Sequence, residues 1–223
     1  MIFATTALLL SVLVSQTSAA PQFKAPISAP NSPGKVENEP TSKSHDVSIT
    51  RKMNDDQFIS CEHNQQLEVE KAAVAANVLV ANGVLYIENS PPDEQPLYTT
   101  WFGKHDEDNY ATVVSTVSKM HNMATLLTYN CTSCSMEQDA AKKRKPLYST
   151  KNDDGSTHTI DLCEGFWKAP MVGYKSRAGS IVAELAVMLG KTVYSNVWTE
   201  LASKTTATRD PKLAVQSSRN YMY

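Results

Sequence analysis

Ser176-Arg177-Ala178-Gly179-Ser180-Ile181-Val182-Ala183-Glu184-Leu185-Ala186-Val187-Met188-Leu189 is the stretch on which this chain turns. From Ser180 to Leu189 it reads as an apolar helix, and Gly190 ends it. Ala183 and Val187 are one helical turn apart and share a side, with the carboxylate of Glu184 next to the first. The spacing is that of a His-Glu-x-x-His motif in which both histidines are gone and only the glutamate stays.

Around this helix the chain has 223 residues, enough for one domain with short extras. A hydrophobic content of 41% and a charged content of 20% suit a globular protein, and a net charge of −2 argues against nucleic acid and membrane surfaces as partners. The one basic run, Lys142-Lys143-Arg144-Lys145, reads as a solvated loop. Residues 1–19 read as a secretory signal peptide: an uncharged apolar run, Ala4 to Val14, is followed by small residues, with cleavage near Ala19. No later stretch reads as a membrane span, so the expectation is a soluble, secreted, extracellular monomer.

Residues 20–52 are rich in Pro, Ser, Lys and Glu and read as a disordered pro-segment or linker, with Arg51-Lys52 as a candidate dibasic processing site. The folded domain is expected over 53–223. Glu62 to Ala81 is an Ala-rich helix that Asn82-Gly83 should end, and Asp106 to Ala124 carries Tyr110, Val113, Val114, Val117 and Met120 at helical spacing. Leu126 to Cys131 and Thr157 to Cys163 alternate like short strands, on either side of a polar loop that holds the basic run and Asn152-Asp153-Asp154-Gly155. Asn196 to Lys204 and Pro211 to Tyr221 read as further helices, the second with Asp210 as its N-cap. Four cysteines, Cys61, Cys131, Cys134 and Cys163, imply two disulfides in an exported chain, with three pairings open. Asn130-Cys131-Thr132 is a glycosylation sequon, whose use a disulfide at its middle residue should reduce.

The order of these elements resembles the aspzincin metallopeptidases, the family of deuterolysin and the lysine-specific metalloendopeptidases. The likeness rests on Cys61 opening an Ala-rich helix, on Tyr98-Thr99-Thr100-Trp101-Phe102-Gly103, on Ile160-Asp161-Leu162-Cys163-Glu164-Gly165-Phe166, on Arg177-Ala178-Gly179-Ser180-Ile181-Val182, and on the tail Leu213 to Tyr223. The resemblance implies a zincin-like α+β fold, mainly helical with a small sheet and two disulfides, Cys61 with Cys131 and Cys134 with Cys163. It also implies a site: two helix histidines and a downstream aspartate bind zinc, the helix glutamate takes a proton from zinc-bound water, and an aromatic hydroxyl steadies the oxyanion.

On that template Ala183 and Val187 stand at the histidine positions, Ser195 at the aspartate, and Trp198 or Tyr194 at the oxyanion-stabilising position. No Asp occurs between Asp161 and Asp210 and no His after His158, so all three ligands are absent at once. Glu184 is left as a vestigial general base, a carboxylate facing bulk water or paired with a cation, over a cleft floor refilled by apolar side chains. His45, His63, His105, His121 and His158 show no ligand spacing and read as surface or capping residues. The expectation is an inactive pseudopeptidase without a metal cofactor, its cleft still able to pair an extended peptide or protein ligand along an edge strand. Two alternatives stand beside it: an active zinc metalloendopeptidase with non-standard ligands, and a secreted metal-binding protein.

Overall fold

The Ala-rich stretch after Cys61 forms a single long helix, α1 (His63–Asn89), in the computed structural model, which describes residues 52–136, 146–151, 158–194 and 199–223. All of these belong to one compact unit, residues 46–223. The proposed signal peptide and nearly all of the pro-segment, His45, the basic run 142–145, the turn 152–155, Ser195 and Trp198 lie outside the described residues.

Small side chains explain how α1 packs. Val69, Ala72, Ala73 and Ala76 are fully buried and let the backbone of α6 (Arg177–Met188) come close. In α6 every residue from Ala178 to Ala186 is buried, which makes it the central helix of the core. Its fully buried Ile181 and Leu185 each contribute about 1.5–3 kcal/mol by leaving water. The helix α3 (Glu107–Met120) covers α1 with Val113, Val117 and Met120, and Asp106 caps it by accepting from the Asn109 amide at 3.1 Å.

A four-stranded sheet lies beside the helices. The strands β1 (Phe58–Ile59), β2 (Thr128–Asn130), β3 (Leu147–Lys151) and β4 (His158–Leu162) run in the order β1-β2-β4-β3. The first three in space are parallel, and β3 closes one edge antiparallel to β4. Tyr129 and Ile160, paired across β2 and β4, are fully buried at its centre. The bridge Cys61–Cys131 joins the start of α1 to the end of β2, and Cys134–Cys163 joins α4 (Ser133–Met136) to the end of β4. They close 70- and 29-residue separations, worth about 2–4 kcal/mol each through the unfolded chain.

The C-terminal tail is stitched onto the helices. Beyond α7 (Glu200–Arg209) and α8 (Pro211–Gln216), a 3-10 turn Ser218–Met222 packs along α6. Asn220 Nδ2 donates to the carbonyls of Trp101 (2.5 Å) and Ser203 (3.2 Å), and Tyr223 stacks on Trp101 with ring centres 4.2 Å apart. Trp101 belongs to α2 (Pro96–Phe102), which ends at Gly103. Gly103 has φ +89°, and a Cβ there would lie 2.3 Å from the Ala207 carbonyl oxygen, so no other residue fits where α2 meets α7 and α8.

Several expected boundaries are corrected. The first helix does not stop at Asn82-Gly83 but runs to Asn89, because Gly83 stays in the helix facing Val117. At 27 residues α1 is also long and apolar enough to cross a bilayer, contrary to the sequence expectation, yet its Ala-rich face is spent on α6. The expected strand from Leu126 shortens to Thr128–Asn130 after a 3-10 turn Ala124–Leu126. The helix expected from Asn196 is described from Glu200, capped by Thr199, and runs on to Arg209. The helix expected over Pro211 to Tyr221 divides into α8 and the 3-10 turn, although Asp210 caps it as expected, accepting from Leu213 N at 3.0 Å. The strands β1 and β3 and the helix α2 were not foreseen.

Candidate functional site

The motif helix is held firmly at its first turn. Ser176 caps it, accepting from the Gly179 amide at 3.0 Å. Arg177 reaches from the same turn to Glu68 on α1 (2.6 Å) and donates to the carbonyls of Phe166 (3.0 Å) and Trp167 (2.6 Å) in α5 (Glu164–Lys168). Gly179 permits close approach of the tail, since a Cβ there would sit 3.1 Å from the Met222 carbonyl oxygen.

Further along α6, Ala183 is 6% exposed and Glu184 9%, and Val187 is half-buried. Glu184 does not face bulk water, which corrects the sequence expectation. Its Oε1 accepts from the backbone amide of Ser149 (2.8 Å) and from the Ser149 hydroxyl (2.7 Å). Ser149 lies at the middle of β3, in register with Ile160 of β4. Its amide turns away from β4 toward the free edge of the sheet and is used there by Glu184.

Glu184 and Arg219 line a common cavity with Ser180, Ala183, Val193 and Ser218. Its volume is about 10 Å³, room for at most one water molecule. Burial pushes the Arg219 guanidinium below its ordinary value, and the Glu184 carboxylate pulls it back up. Arg219 is half-buried, and its Nη1 also lies 3.8 Å from Met222 Sδ.

Among the described residues the donor set does not fit a zinc ion: Ala183, which lines the cavity, and Val187 carry no donor atom in their side chains, one oxygen of Glu184 is committed to Ser149, and Arg219 stands on the same cavity wall. Among the described residues no three or more His, Cys, Asp or Glu side chains are grouped so as to hold a metal ion. His63 opens α1, His105 packs against the rings of Tyr98 and Tyr110, and His121 follows α3; all three are exposed. His158 opens β4. Tyr194 is half-buried, two residues beyond the Thr192–Ser217 bridge. Asn130 ends β2, and its Oδ1 accepts from Thr132 N (3.1 Å) and Ser133 N (3.3 Å), closing the turn between the two bridges.

Neither Ser149 nor Arg219 was singled out from the sequence. A second, larger hollow of about 240 Å³ is walled by α1, α2, α3 and the tail residues Asn220 to Tyr223. Leu79, Tyr86, Leu97, Trp101, Val182 and Met222 make most of its wall apolar, and Leu79 and Leu97 are exposed.

The comparisons agree with this architecture. The family model described as lysine-specific metallo-endopeptidase matches residues 86–223. A peptidyl-Lys metalloendopeptidase of Grifola frondosa is 32% identical over 170 residues, covering 74% of this chain and 45% of that protein. One from Pleurotus ostreatus is 29% identical over 169 residues, covering 74% of this chain and 94% of that protein. An extracellular protease of Aeromonas hydrophila is 27% identical over 168 residues, covering 73% of this chain and 44% of its own length. This chain therefore spans less than half the length of the Grifola and Aeromonas proteins. A solved zinc peptidase from Grifola frondosa superimposes with a TM-score of 0.61 at 32% identity, covering 73% of this chain and 94% of that one. The fold and these likenesses define a metalloendopeptidase-like protein. The chain belongs to the aspzincin family of lysine-specific metallo-endopeptidases.

Proposed function

We propose that this protein is a secreted aspzincin homologue that has lost its zinc ligands and with them hydrolysis, and that it retains a protein- or peptide-binding role. The observation that carries this reading is the double hydrogen bond from Ser149 to Glu184. A general base has to lie within reach of the water it deprotonates. Here one carboxylate oxygen is used by the sheet edge, a cavity of about 10 Å³ is left beside it, and Ala183 and Val187 offer no lone pair to a metal.

Secretion is supported by the two disulfides, by the apolar leader, and by a relative named an extracellular protease. The binding role is supported by the apolar hollow beside Trp101, a more open surface than the cleft floor. Pairing of an extended peptide along β3 would have to displace Glu184 at Ser149, so a partner's apolar side chain in that hollow is the favoured mode.

The test is proteolysis. Purified protein, incubated with denatured protein substrates in the presence of zinc, should cleave nothing above a heat-inactivated control. Cleavage that a chelator abolishes and zinc restores would overturn the proposal.

A further inference from the structure

The larger hollow is separate from the cleft floor: Val182 of α6 lines the hollow, while its neighbour Ala183 lines the small cavity at Glu184. Six of the hollow's wall residues are aromatic, Tyr86, Tyr98, Trp101, Phe102, Tyr221 and Tyr223, and none of its wall side chains is a Lys, Arg, His, Asp or Glu. Lys204, whose ammonium lies 4.8 Å from the centre of the Trp101 ring, is already paired with Glu200 at 2.6 Å. A charged guest would be buried there without a counter-charge, so the wall selects a neutral one. The size fits a ring. A cavity of about 150 Å³ takes up benzene, and about 240 Å³ has room for a ring with a substituent.

Two wall residues keep a polar atom unpartnered. Tyr98 is 3% exposed and Asn220 1%, and Tyr98 Oη and Asn220 Oδ1 have no hydrogen-bond partner. Other polar atoms of the wall are engaged. Asn220 Nδ2 donates to Trp101 and Ser203, the Tyr86 hydroxyl accepts from Leu97 N at 3.0 Å, and the Tyr221 hydroxyl donates to the Val215 carbonyl at 2.9 Å. Buried polar groups are normally paired, so an unpartnered one is where a guest's polar atom gains most. Tyr98 has the proton to give: burial, and then the Asp106 carboxylate, push it up to about 12.

We propose that this hollow is a recognition pocket for a tyrosine side chain of a partner protein, its neutral ring packing among the wall aromatics and its oxygen accepting from the Tyr98 hydroxyl. This rests on the binding role proposed above and narrows it to one side chain. A tethered side chain is favoured over a free molecule because the hollow opens to solvent. Leu79, Leu97 and Tyr223 of its wall are 37%, 55% and 37% exposed, so a guest's backbone can stay outside while its ring enters. Tyr98 Oη is covered by its neighbours, so the wall shifts slightly as the ring seats.

The test is a ligand-detected NMR titration of the full chain with three probes: N-acetyl-tyrosinamide, N-acetyl-phenylalaninamide and N-acetyl-phosphotyrosinamide. The tyrosine probe should bind about tenfold more tightly than the phenylalanine probe, and the phosphorylated one should not bind. Equal affinity for the two neutral probes, or binding of the phosphorylated one, would overturn the proposal. Tyr98→Phe should bring the two neutral probes to the same affinity without lowering the melting temperature, because the hydroxyl it removes has no partner in the protein. A tyrosine preference that survives this change counts against the proposal. Gly83→Leu adds a side chain to the wall from α1, where its Cβ meets only Val117 at 3.5 Å, and should abolish binding of every probe. Undiminished binding would place the ring elsewhere and sink the proposal. Should Gly83→Leu fail to fold, Tyr98→Phe still decides. Absence of binding to the unmutated protein would overturn this inference and leave the loss of hydrolysis untouched. Zinc-dependent cleavage by a protein that binds the tyrosine probe as expected would sink the loss of hydrolysis and leave this inference standing.

Discussion

The carboxylate of Glu184 accepts two hydrogen bonds through one oxygen, from the amide of Ser149 at 2.8 Å and from its hydroxyl at 2.7 Å. Glu184 is thereby a fastener between α6 and the edge of the sheet. Replacing a catalytic base commonly leaves stability intact or improves it, whereas replacing a fastener does not. Glu184→Ala should cost about 2–3 kcal/mol and Ser149→Ala about 1 kcal/mol, the second smaller because the amide donor survives. Urea denaturation of the two variants checks this, and a Glu184→Ala protein as stable as the parent would contradict it.

Arg177 joins three elements, pairing with Glu68 and donating to the carbonyls of Phe166 and Trp167. Arg177→Met keeps much of the packing but strands both carbonyls, and should cost about 2–4 kcal/mol by chemical denaturation. The same contact has a pH signature. Hydrogen bonds from Lys71 and then Arg177 hold the Glu68 carboxyl below its ordinary value of 4.5. Its contribution is complete above that value and is lost as pH falls through the lower folded-state value. Acid unfolding of Arg177→Met should therefore show a weaker dependence on pH below 4.5 than the parent.

Gly103 is fixed by its surroundings as well as by its φ of +89°. A methyl group there would meet the Ala207 carbonyl at 2.3 Å and the Pro211 ring at 2.8 Å. Gly103→Ala should lose about 3 kcal/mol or more, with α2 pushed off α7 and α8. Gly173→Ala is the control, since it has a similar φ of +93° and nothing within 4 Å of the added carbon. It should cost about 1 kcal/mol, the backbone strain alone. Equal losses in the two variants would show that the close approach at Gly103 is not real.

Buried tyrosines set the alkaline limit. Burial, then the Asp106 carboxylate, pushes Tyr98 up from 10 to about 12, and burial, then Tyr174, does the same to Tyr223. Tyr129 and Tyr221 are raised further, again by burial first. The fold thus favours the neutral phenols. Their contribution is complete below pH 10 and is lost as pH rises from 10 through 12. The melting temperature should fall by roughly 5 °C or more over that interval, with tyrosinate absorbance rising together with unfolding. Full tyrosine ionisation near pH 10 in a still folded protein would contradict the burial.

What could be read from the sequence was whatever leaves a local pattern. The apolar run through Ile181 and Leu185 gave α6, helical spacing of Val113, Val117 and Met120 gave α3, and Asp210-Pro211 marked the start of α8. The absence of donors at 183 and 187 is a matter of residue identity and was plain at once. Asn82-Gly83 misled because a glycine that packs against Val117 looks, in sequence, like one that ends a helix. The strand β3 was hidden in a polar stretch, where an edge strand needs few apolar residues to mark it. The partners of Glu184 were out of reach for the same kind of reason. Ser149 lies 35 residues before it, and Arg219, which shares its cavity wall, lies 35 residues after it, so only the folded backbone brings them together.

The proposed function requires that this site hold a carboxylate already bound by its own protein, with no metal-ligating side chain at positions 183 and 187. Its most direct measurement is zinc stoichiometry: the full protein, equilibrated with excess zinc at neutral pH, dialysed, and analysed for bound metal. The account predicts far less than one zinc per chain, and the same trace level in Glu184→Gln. One firmly held zinc per chain, lost when Glu184 is replaced, would contradict it.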